Sequence, residues 1–151
     1  MTFTPRQGDL LADHATALVC PTNTVGVMGA GLARQFRDRF PGLEADYRKA
    51  CRAGVHTPAQ PFIWGTGEQT VLCLATKRHF RDPSRVEDVQ SALTALAAWM
   101  GAQQEPVSVA ISAIGCGLGG LSWIRQVRPL IEPALCDVPG ELRVYAPWAP
   151  G

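Results

Sequence analysis

The 151-residue chain lacks the sequence features of a membrane protein and of a secreted protein. No apolar stretch approaches the length that crosses a bilayer, and the N-terminal segment 1–6 has no apolar core like that of a signal peptide. The five cysteines are scattered without a C-x-x-C pair, which favours reduced thiols over a disulfide framework. We therefore expect a cytoplasmic protein with no membrane attachment.

An excess of charge of one sign is also lacking, since 14 Lys and Arg residues stand against 13 Asp and Glu residues. Indiscriminate nucleic-acid binding usually requires a clear basic excess, so it is not expected for the chain as a whole. The local basic segment Lys77–Arg85 still predicts a weak contact with a nucleic-acid backbone.

Spacings typical of metal sites and of hydrolase triads are absent from the sequence. His14, His56 and His79 lie far apart, and no H-x-x-x-H or mixed Cys/His pattern occurs, so no metal site is expected. Ser112 and Cys116 have no recognisable base partner for nucleophilic catalysis. The sequence therefore predicts chemistry without a metal, a cofactor or a serine or cysteine nucleophile.

Short apolar runs alternate with helical patterns along the chain. The runs predict six strands, namely Thr2–Arg6, Ala17–Cys20, Pro61–Trp64, Val71–Ala75, Val107–Ile111 and Leu142–Ala146. The helical patterns cover Gly29–Phe40, Leu43–Ala53, a helix from a capping box at Ser84–Glu87 to Gly101, and a stretch between Trp123 and Cys136. This alternation predicts one α/β domain over residues 1–151, with helices on both faces of a largely parallel sheet.

Two glycine-rich loops follow predicted strands. Gly26, Val27, Met28, Gly29 and Gly31 form the first loop, which opens directly into a helix. The second loop comprises Ile114, Gly115, Cys116, Gly117, Leu118, Gly119 and Gly120. Inward-facing N–H groups in such loops bind phosphate, although a tight strand-to-helix connection alone would also require glycine in the first loop. Together the loops indicate a nucleotide-like ligand held from both sides.

Polar side chains also follow three of the predicted strands at the same edge of the sheet. Thr76 and Lys77 begin a basic segment after a buried strand, where a lysine can act as a nucleophile or stabilise charge. Asn23 suits a sugar hydroxyl, and Asp9 suits an exocyclic amine, although each side chain can instead hold its own turn. A solvated basic loop is the structural alternative for the lysine segment.

In their order along nearly the whole chain, these segments resemble the macrodomain family, a three-layer α/β/α fold that binds ADP-ribose. The resemblance implies that Asp9 and Leu10 bind adenine and that Asn23 contacts the distal ribose. It also implies that the two glycine-rich loops hold the diphosphate. The expected fold is therefore a macrodomain sandwich with a mixed, largely parallel sheet of about six strands.

Within that family the motifs are similar to one subgroup, the DNA ADP-ribosylglycohydrolase antitoxins and the terminal ADP-ribose glycohydrolases that act on acidic side chains. The resemblance implies that Lys77 is catalytic and reacts at or near the anomeric carbon of the distal ribose. The animal members place an aspartate where this chain has Gly119, whereas the antitoxin-like members lack it. The chain ends soon after its last predicted strand, so no antitoxin-like C-terminal extension is expected.

The expected function is removal of ADP-ribose from modified DNA or from Asp and Glu residues of modified protein, with ADP-ribose as ligand and product. We expect the protein to act as a monomer. A non-catalytic ADP-ribose-binding module is one alternative, and a phosphatase of ADP-ribose 1″-phosphate or a deacetylase of O-acetyl-ADP-ribose is another, because all would use the same pocket.

Overall fold

One mixed sheet of six strands organises the computed structural model, which describes residues 1–148. In chain order the strands are β1 (Thr2–Arg6), β2 (Ala17–Thr22), β3 (Phe62–Gly65), β4 (Thr70–Ala75), β5 (Ser108–Ser112) and β6 (Glu141–Tyr145). Their order across the sheet is β1-β6-β5-β2-β4-β3, with only the edge strand β3 antiparallel to its neighbour within this part of the chain. The predicted largely parallel sheet is confirmed, with strand limits shifted by one or two residues.

Four α-helices pack on the two faces of the sheet in residues 1–148. They are α1 (Gly31–Arg39), α2 (Leu43–Arg52), α3 (Val86–Gly101) and α4 (Arg128–Leu135). A short 3₁₀ turn covers Leu10–Ala12, and one π-helical turn, Trp123–Val127, leads into α4. Pro129 stands in the first turn of α4, where its missing N–H has no intrahelical partner to lose.

Strand β2 shows why both faces of the sheet are covered. Ala17 and Val19 point into the core shared with α3 and α4, whereas Leu18 and Cys20 point into the core shared with α1 and α2. Because side chains alternate along a strand, a run that is apolar at every position must be buried on both faces. The resulting three-layer α/β/α sandwich confirms the predicted fold.

The capping box predicted at Ser84 is wrong. Arg85 occupies the N-cap position of α3 and makes no side-chain capping bond. The Ser84 N–H instead donates to the Gly119 carbonyl at 2.9 Å, so Ser84 belongs to the contact between the α3 entrance and the second glycine-rich loop. Ser84 therefore makes a tertiary hydrogen bond and does not cap the helix.

The parallel strands place the candidate site. Since β2, β4, β5 and β6 run in one direction, their carboxyl ends share one edge of the sheet. Both glycine-rich loops and the Lys77 segment emerge at that edge, which is where ligands bind in open α/β sheets.

Candidate functional site

A cleft of about 1100 Å³ opens at the carboxyl edge of the parallel strands. Most of the sequence-predicted site residues line it, namely Asp9, Leu10, Asn23, Val27, Gly29, Gly31, Thr76, Lys77, Ile114, Gly115, Cys116, Gly117, Leu118 and Gly119. The topology thus brings together segments that are separated by more than a hundred positions in the chain.

Three predicted site residues, Gly26, Met28 and Gly120, do not line the cleft. Met28 is fully buried in the core shared with α1 and α2, and its N–H donates to the Glu44 carboxylate at 3.2 Å. Gly26 and Gly120 have φ of +91° and +81°, so each supplies a left-handed turn residue. These positions shape the loops without facing the cleft.

Asn23 holds the first glycine-rich loop together from within. Its side-chain Oδ1 accepts hydrogen bonds from the N–H groups of Val25 at 3.0 Å and Gly26 at 3.1 Å, and its Nδ2 donates to the Val27 carbonyl at 2.8 Å. The buried Tyr47 hydroxyl donates to the same Oδ1 at 2.7 Å. The Asx-turn alternative is therefore realised in the structure, and Asn23 lines the cleft while it orders the loop.

The first loop ends at the N-terminus of α1, which faces the cleft. Ala30 is the N-cap residue and provides no side-chain hydrogen bond to the helix. The N–H groups of the first helical turn, which include those of Gly31, Leu32 and Ala33, point away from the helix body, and all three residues line the cleft. The positive end of the helix dipole adds to these donors, so an anion is favoured here.

The second glycine-rich loop lies opposite the first. A Cβ on Gly31 would lie 3.9 Å from the Leu118 side chain, which places the two loops on facing sides of the cleft. Leu118 is largely exposed, and Gly117 has open space where a side chain would project. A ligand in the cleft would therefore lie between the two loops, as the sequence predicted.

Gly119 has no room for a side chain. A Cβ there would lie 2.3 Å from the Ser84 Oγ and 2.5 Å from the Gly115 carbonyl oxygen. Gly115 has φ of +76°, and its own Cβ would contact Val89 at 3.0 Å. An aspartate at position 119 would thus require the loop to rearrange, which agrees with the chain lacking a carboxylate at this point.

Lys77 follows β4 and is partly buried in the cleft wall. No ion pair or side-chain hydrogen bond joins its amine to another of residues 1–148. The preceding Thr76 is buried, and its N–H donates to the Thr22 carbonyl at 3.0 Å, which fixes the end of β4 against β2. The next residue, Arg78, pairs with the buried Asp88 at 3.3 Å. Lys77 therefore lines the cleft, and its amine has no ion-pair partner among residues 1–148.

Asp9 lies at the opposite end of the cleft and has a local structural role as well. Its Oδ1 accepts a hydrogen bond from the Leu11 N–H at 3.0 Å and caps the 3₁₀ turn. Asp9 is exposed at the cleft surface, and its neighbour Leu10 is buried beneath it. Only one carboxylate oxygen of Asp9 takes part in this cap, and the residue lines the cleft.

The cleft-lining residues that sequence reasoning missed include Ser84, Phe80 and Tyr145. The Ser84 Oγ is buried without a hydrogen-bond partner, and Phe80 is 42% exposed. The Tyr145 hydroxyl donates a hydrogen bond to the Asp13 carboxylate at 2.6 Å. The same carboxylate forms an ion pair with Arg143 at 2.6 Å. An exposed aromatic residue in the basic segment was the one local signal available, and the other two contacts depend on the tertiary fold.

Burial sets the protonation of two groups beside the cleft. Burial lowers the pKa of His56, whose Nδ1 hydrogen donates to the Gln60 carbonyl at 3.0 Å and whose Nε2 accepts from the Thr22 hydroxyl at 2.7 Å. Burial also raises the pKa of Cys116 to about 11. The thiol of Cys116 is thus protonated near neutral pH.

Two further structural properties concern metals and membranes. Across residues 1–148, no group of three or more His, Cys, Asp or Glu side chains is arranged to hold a metal ion. No helix in the same span is long and apolar enough to cross a membrane.

Comparison with known proteins identifies the family. A DNA ADP-ribosyl glycohydrolase of Mycobacterium tuberculosis is 38% identical over 145 residues, which are 93% of this chain and 41% of that protein. The chain thus spans about two fifths of the length of the first curated relatives it matches.

Solved structures agree with this assignment. The macrodomain of Thermus aquaticus DarG is 36% identical, with a TM-score of 0.89 and coverage of 97% of this chain and 99% of that chain. The structure of Thermosipho africanus DarTG in complex with ADP-ribose is 27% identical, with a TM-score of 0.83 and coverage of 95% and 41% of the respective chains. The Macro domain family model matches residues 19–129, and the chain belongs to the Macro domain family.

Proposed function

We propose that this domain is a hydrolase that releases ADP-ribose from a modified DNA base, with Lys77 acting at the anomeric carbon of the distal ribose. The observation that carries the proposal is the placement of Lys77 in one cleft with both glycine-rich loops and the N-terminus of α1. The names of the relatives, a DNA ADP-ribosyl glycohydrolase and a DarTG protein in complex with ADP-ribose, support this ligand and this linkage.

Each part of the cleft has a proposed role toward ADP-ribose. Asp9 accepts a hydrogen bond from the adenine amine, and Leu10 packs beside the base. The N–H groups of the two loops hold the diphosphate, since backbone donors and a helix N-terminus favour negative charge. Asn23 and Thr76 position the distal ribose, so that its anomeric carbon faces Lys77. Such positioning supplies a large part of the rate enhancement.

The proposed reaction passes through an imine between Lys77 and the opened ribose. The amine adds to the anomeric carbon as the bond from this carbon to the base nitrogen breaks, and the base nitrogen takes one proton that the amine loses. The bond from the anomeric carbon to the ring oxygen then breaks, the ring oxygen takes the second amine proton, and the imine forms. Water then hydrolyses the imine, which restores the Lys77 amine and gives ADP-ribose. A lysine without an ion-pair partner is suited to this step because no salt bridge must be broken first.

Reductive trapping tests the covalent step. With cyanoborohydride present during turnover, we expect mass spectrometry to find ADP-ribose attached to Lys77, and Lys77→Arg and Lys77→Ala to lose turnover equally. If Lys77 instead only stabilises the leaving group, Lys77→Arg keeps its charge and should retain measurable activity, and no adduct should form.

Separate binding and release assays test whether the domain is an enzyme. We expect Lys77→Ala to bind ADP-ribose with nearly the wild-type Kd while release from ADP-ribosylated DNA is lost. The side-by-side substrates are ADP-ribosylated DNA, ADP-ribosylated protein and ADP-ribose 1″-phosphate. Wild-type protein that binds ADP-ribose but releases nothing from any of them is a non-catalytic binding module, and release from the protein or the phosphate alone would reassign the substrate.

Gly117 provides a test of the diphosphate site. Its side-chain position is open, so Gly117→Glu adds bulk and negative charge without an internal clash. We expect this variant to bind ADP-ribose at least about tenfold more weakly, because the new carboxylate would repel the diphosphate, and Gly117→Ala to bind like wild type. Unchanged affinity in Gly117→Glu would place the diphosphate elsewhere.

The remaining proposals concern cofactors and assembly. We propose that release needs no metal or other cofactor and that the domain acts as a monomer. Activity should therefore survive a chelator, and light scattering of the active protein should give the mass of one chain. Segment Lys77–Arg85 is proposed to contact the nucleic-acid part of the substrate, and the affinity for modified DNA should then fall as salt rises.

A further inference from the structure

Phe80 is an exposed aromatic residue whose side chain does not belong to either hydrophobic core. It is 42% exposed at the cleft, three positions after Lys77. Among the other large apolar side chains that line the cleft, Leu118 is also exposed, whereas Leu10 and Ile114 are buried. An aromatic ring left at the mouth of a ligand cleft is a surface for contact with another molecule.

The surroundings of Phe80 suit a nucleobase. The His79 ring stacks on Phe80 with centroids 4.2 Å apart and an interplanar angle of 29°, and the Arg81 guanidinium lies 5.5 Å from the Phe80 centroid. Unpaired bases bind by stacking on aromatic rings and on arginine planes, while nearby cations attract the phosphates. An aromatic ring flanked by imidazole and guanidinium therefore matches single-stranded nucleic acid.

The segment that carries this aromatic group is anchored to the rest of the protein at Arg78. The Arg78 carbonyl accepts hydrogen bonds from the N–H of Thr24 at 3.0 Å and from its hydroxyl at 2.8 Å, which fastens the segment to the first glycine-rich loop. The Arg78 side chain pairs with Asp88 of α3, and the Arg81 N–H donates to the His79 Nδ1 at 3.1 Å. Pre-ordering of the aromatic surface lowers the entropic cost of binding.

We infer that the cluster of His79, Phe80 and Arg81 is the surface on which a base neighbouring the modified nucleotide of the DNA substrate stacks, with Phe80 holding the imidazole and the guanidinium in place. This inference rests on the proposed function, because it places the bond to be cleaved at Lys77. The ADP-ribose lies inside the cleft on one side of that bond, so the DNA extends from the other side past the rim. Phe80 would then favour a modified oligonucleotide over a modified nucleoside.

Binding in an inactive background tests the inference. In Lys77→Ala protein, the Kd is measured for ADP-ribose and for a single-stranded oligonucleotide with one ADP-ribosylated base. We expect Phe80→Ala to weaken oligonucleotide binding about tenfold more than ADP-ribose binding, as loss of one stacked base does. Phe80→Trp should retain the preference. Ile124→Ala, which removes a 66% exposed side chain outside the cleft, should leave both constants unchanged.

Turnover separates failure of this inference from failure of the proposed function. Release from the oligonucleotide should fall more than release from the ADP-ribosylated nucleoside when Phe80→Ala is made in otherwise wild-type protein. Equal losses on both substrates, or no loss on the oligonucleotide, would overturn the stacking surface while the glycohydrolase proposal stands. A larger loss on ADP-ribosylated protein than on DNA would assign Phe80 to a protein substrate. Absence of turnover by wild-type protein would overturn the proposed function, and the two Kd values would still decide whether a base stacks on this cluster.

Discussion

Gly119 is the residue of the second glycine-rich loop that has the least space around it. A Cβ atom on Gly119 would collide with the Ser84 hydroxyl and with the Gly115 carbonyl group. The Ser84 N–H donates to the Gly119 carbonyl, so the loop cannot move away from α3 without losing this hydrogen bond. The requirement for glycine here therefore comes from close packing of the backbone.

Gly119→Ala should lower the free energy of unfolding by about 1–3 kcal/mol, the usual cost of overpacking. It should also weaken ADP-ribose binding, because the loop must shift to admit the methyl group. Chemical denaturation and calorimetric titration provide the two measurements. Gly117→Ala is the matched control, since its side-chain position in the same loop is open, and it should resemble wild type in both. If the two alanine variants behave alike, close packing does not explain Gly119.

At the scale of elements, α2 supports the first glycine-rich loop through one side chain. The buried Tyr47 hydroxyl is 2.7 Å from the Asn23 Oδ1 and 2.9 Å from the Asn23 carbonyl oxygen. Asn23 in turn accepts hydrogen bonds from the N–H groups of Val25 and Gly26 in the loop. Through Tyr47, helix α2 therefore helps to fix the conformation of the loop although no residue of α2 lines the cleft. A buried hydrogen-bond network whose members all have partners favours a single conformation of the loop.

Tyr47→Phe removes only the hydroxyl and should lower the free energy of unfolding by about 1 kcal/mol. If the same free energy is needed to order the loop for ligand, the Kd for ADP-ribose rises about fivefold. The control is Trp64→Phe, which removes the 2.9 Å hydrogen bond from Trp64 to Asp46 on the same helix but away from the loop. Trp64→Phe should lose stability and keep its affinity, and equal affinity losses in both variants would argue against a specific role of Tyr47.

Sequence patterns were sufficient for elements whose signals are local. The apolar run of β2 and the four glycines of the second loop predicted a buried strand and a loop at the right places, because strand burial and left-handed turns leave a mark on residue type. The pattern at Ser84 failed because its N–H has a tertiary partner, Gly119. Met28, predicted at the site, lies outside the cleft because this loop residue anchors its segment in the core.

At the scale of the whole molecule, one buried histidine couples stability to pH. The His56 side chain joins the end of β2 to the segment before β3, through Thr22 and the Gln60 carbonyl. Burial favours the neutral ring in this arrangement, with a hydrogen on Nδ1 for the Gln60 carbonyl and an acceptor at Nε2 for the Thr22 hydroxyl. Burial lowers the pKa of His56 in the folded protein below its ordinary value of 6.5. The unfolded chain therefore binds a proton at a pH where the folded protein does not.

This difference fixes the direction of the pH dependence. Stability rises with pH wherever the unfolded state binds more protons, so the free energy of unfolding should fall as the pH drops below about 6.5. His56 contributes a slope of at most about 1.4 kcal/mol per pH unit, and the loss ends at its pKa in the folded protein. Hydrogen bonds from Tyr145 and Arg143 overcome the effect of burial and keep the pKa of Asp13 below 3.8, so this carboxylate does not titrate in the same window.

Urea denaturation at intervals from about pH 7.5 to about pH 5 measures the slope across the ordinary pKa of histidine. His56→Asn should flatten the slope, because the amide keeps a donor for the Gln60 carbonyl and does not titrate. His14→Asn is the control, since His14 is exposed, and it should follow the wild-type slope. Slopes rather than absolute stabilities are compared, because the asparagine leaves part of the buried site unfilled. An unchanged slope in His56→Asn would mean that His56 is not the group that couples folding to protons.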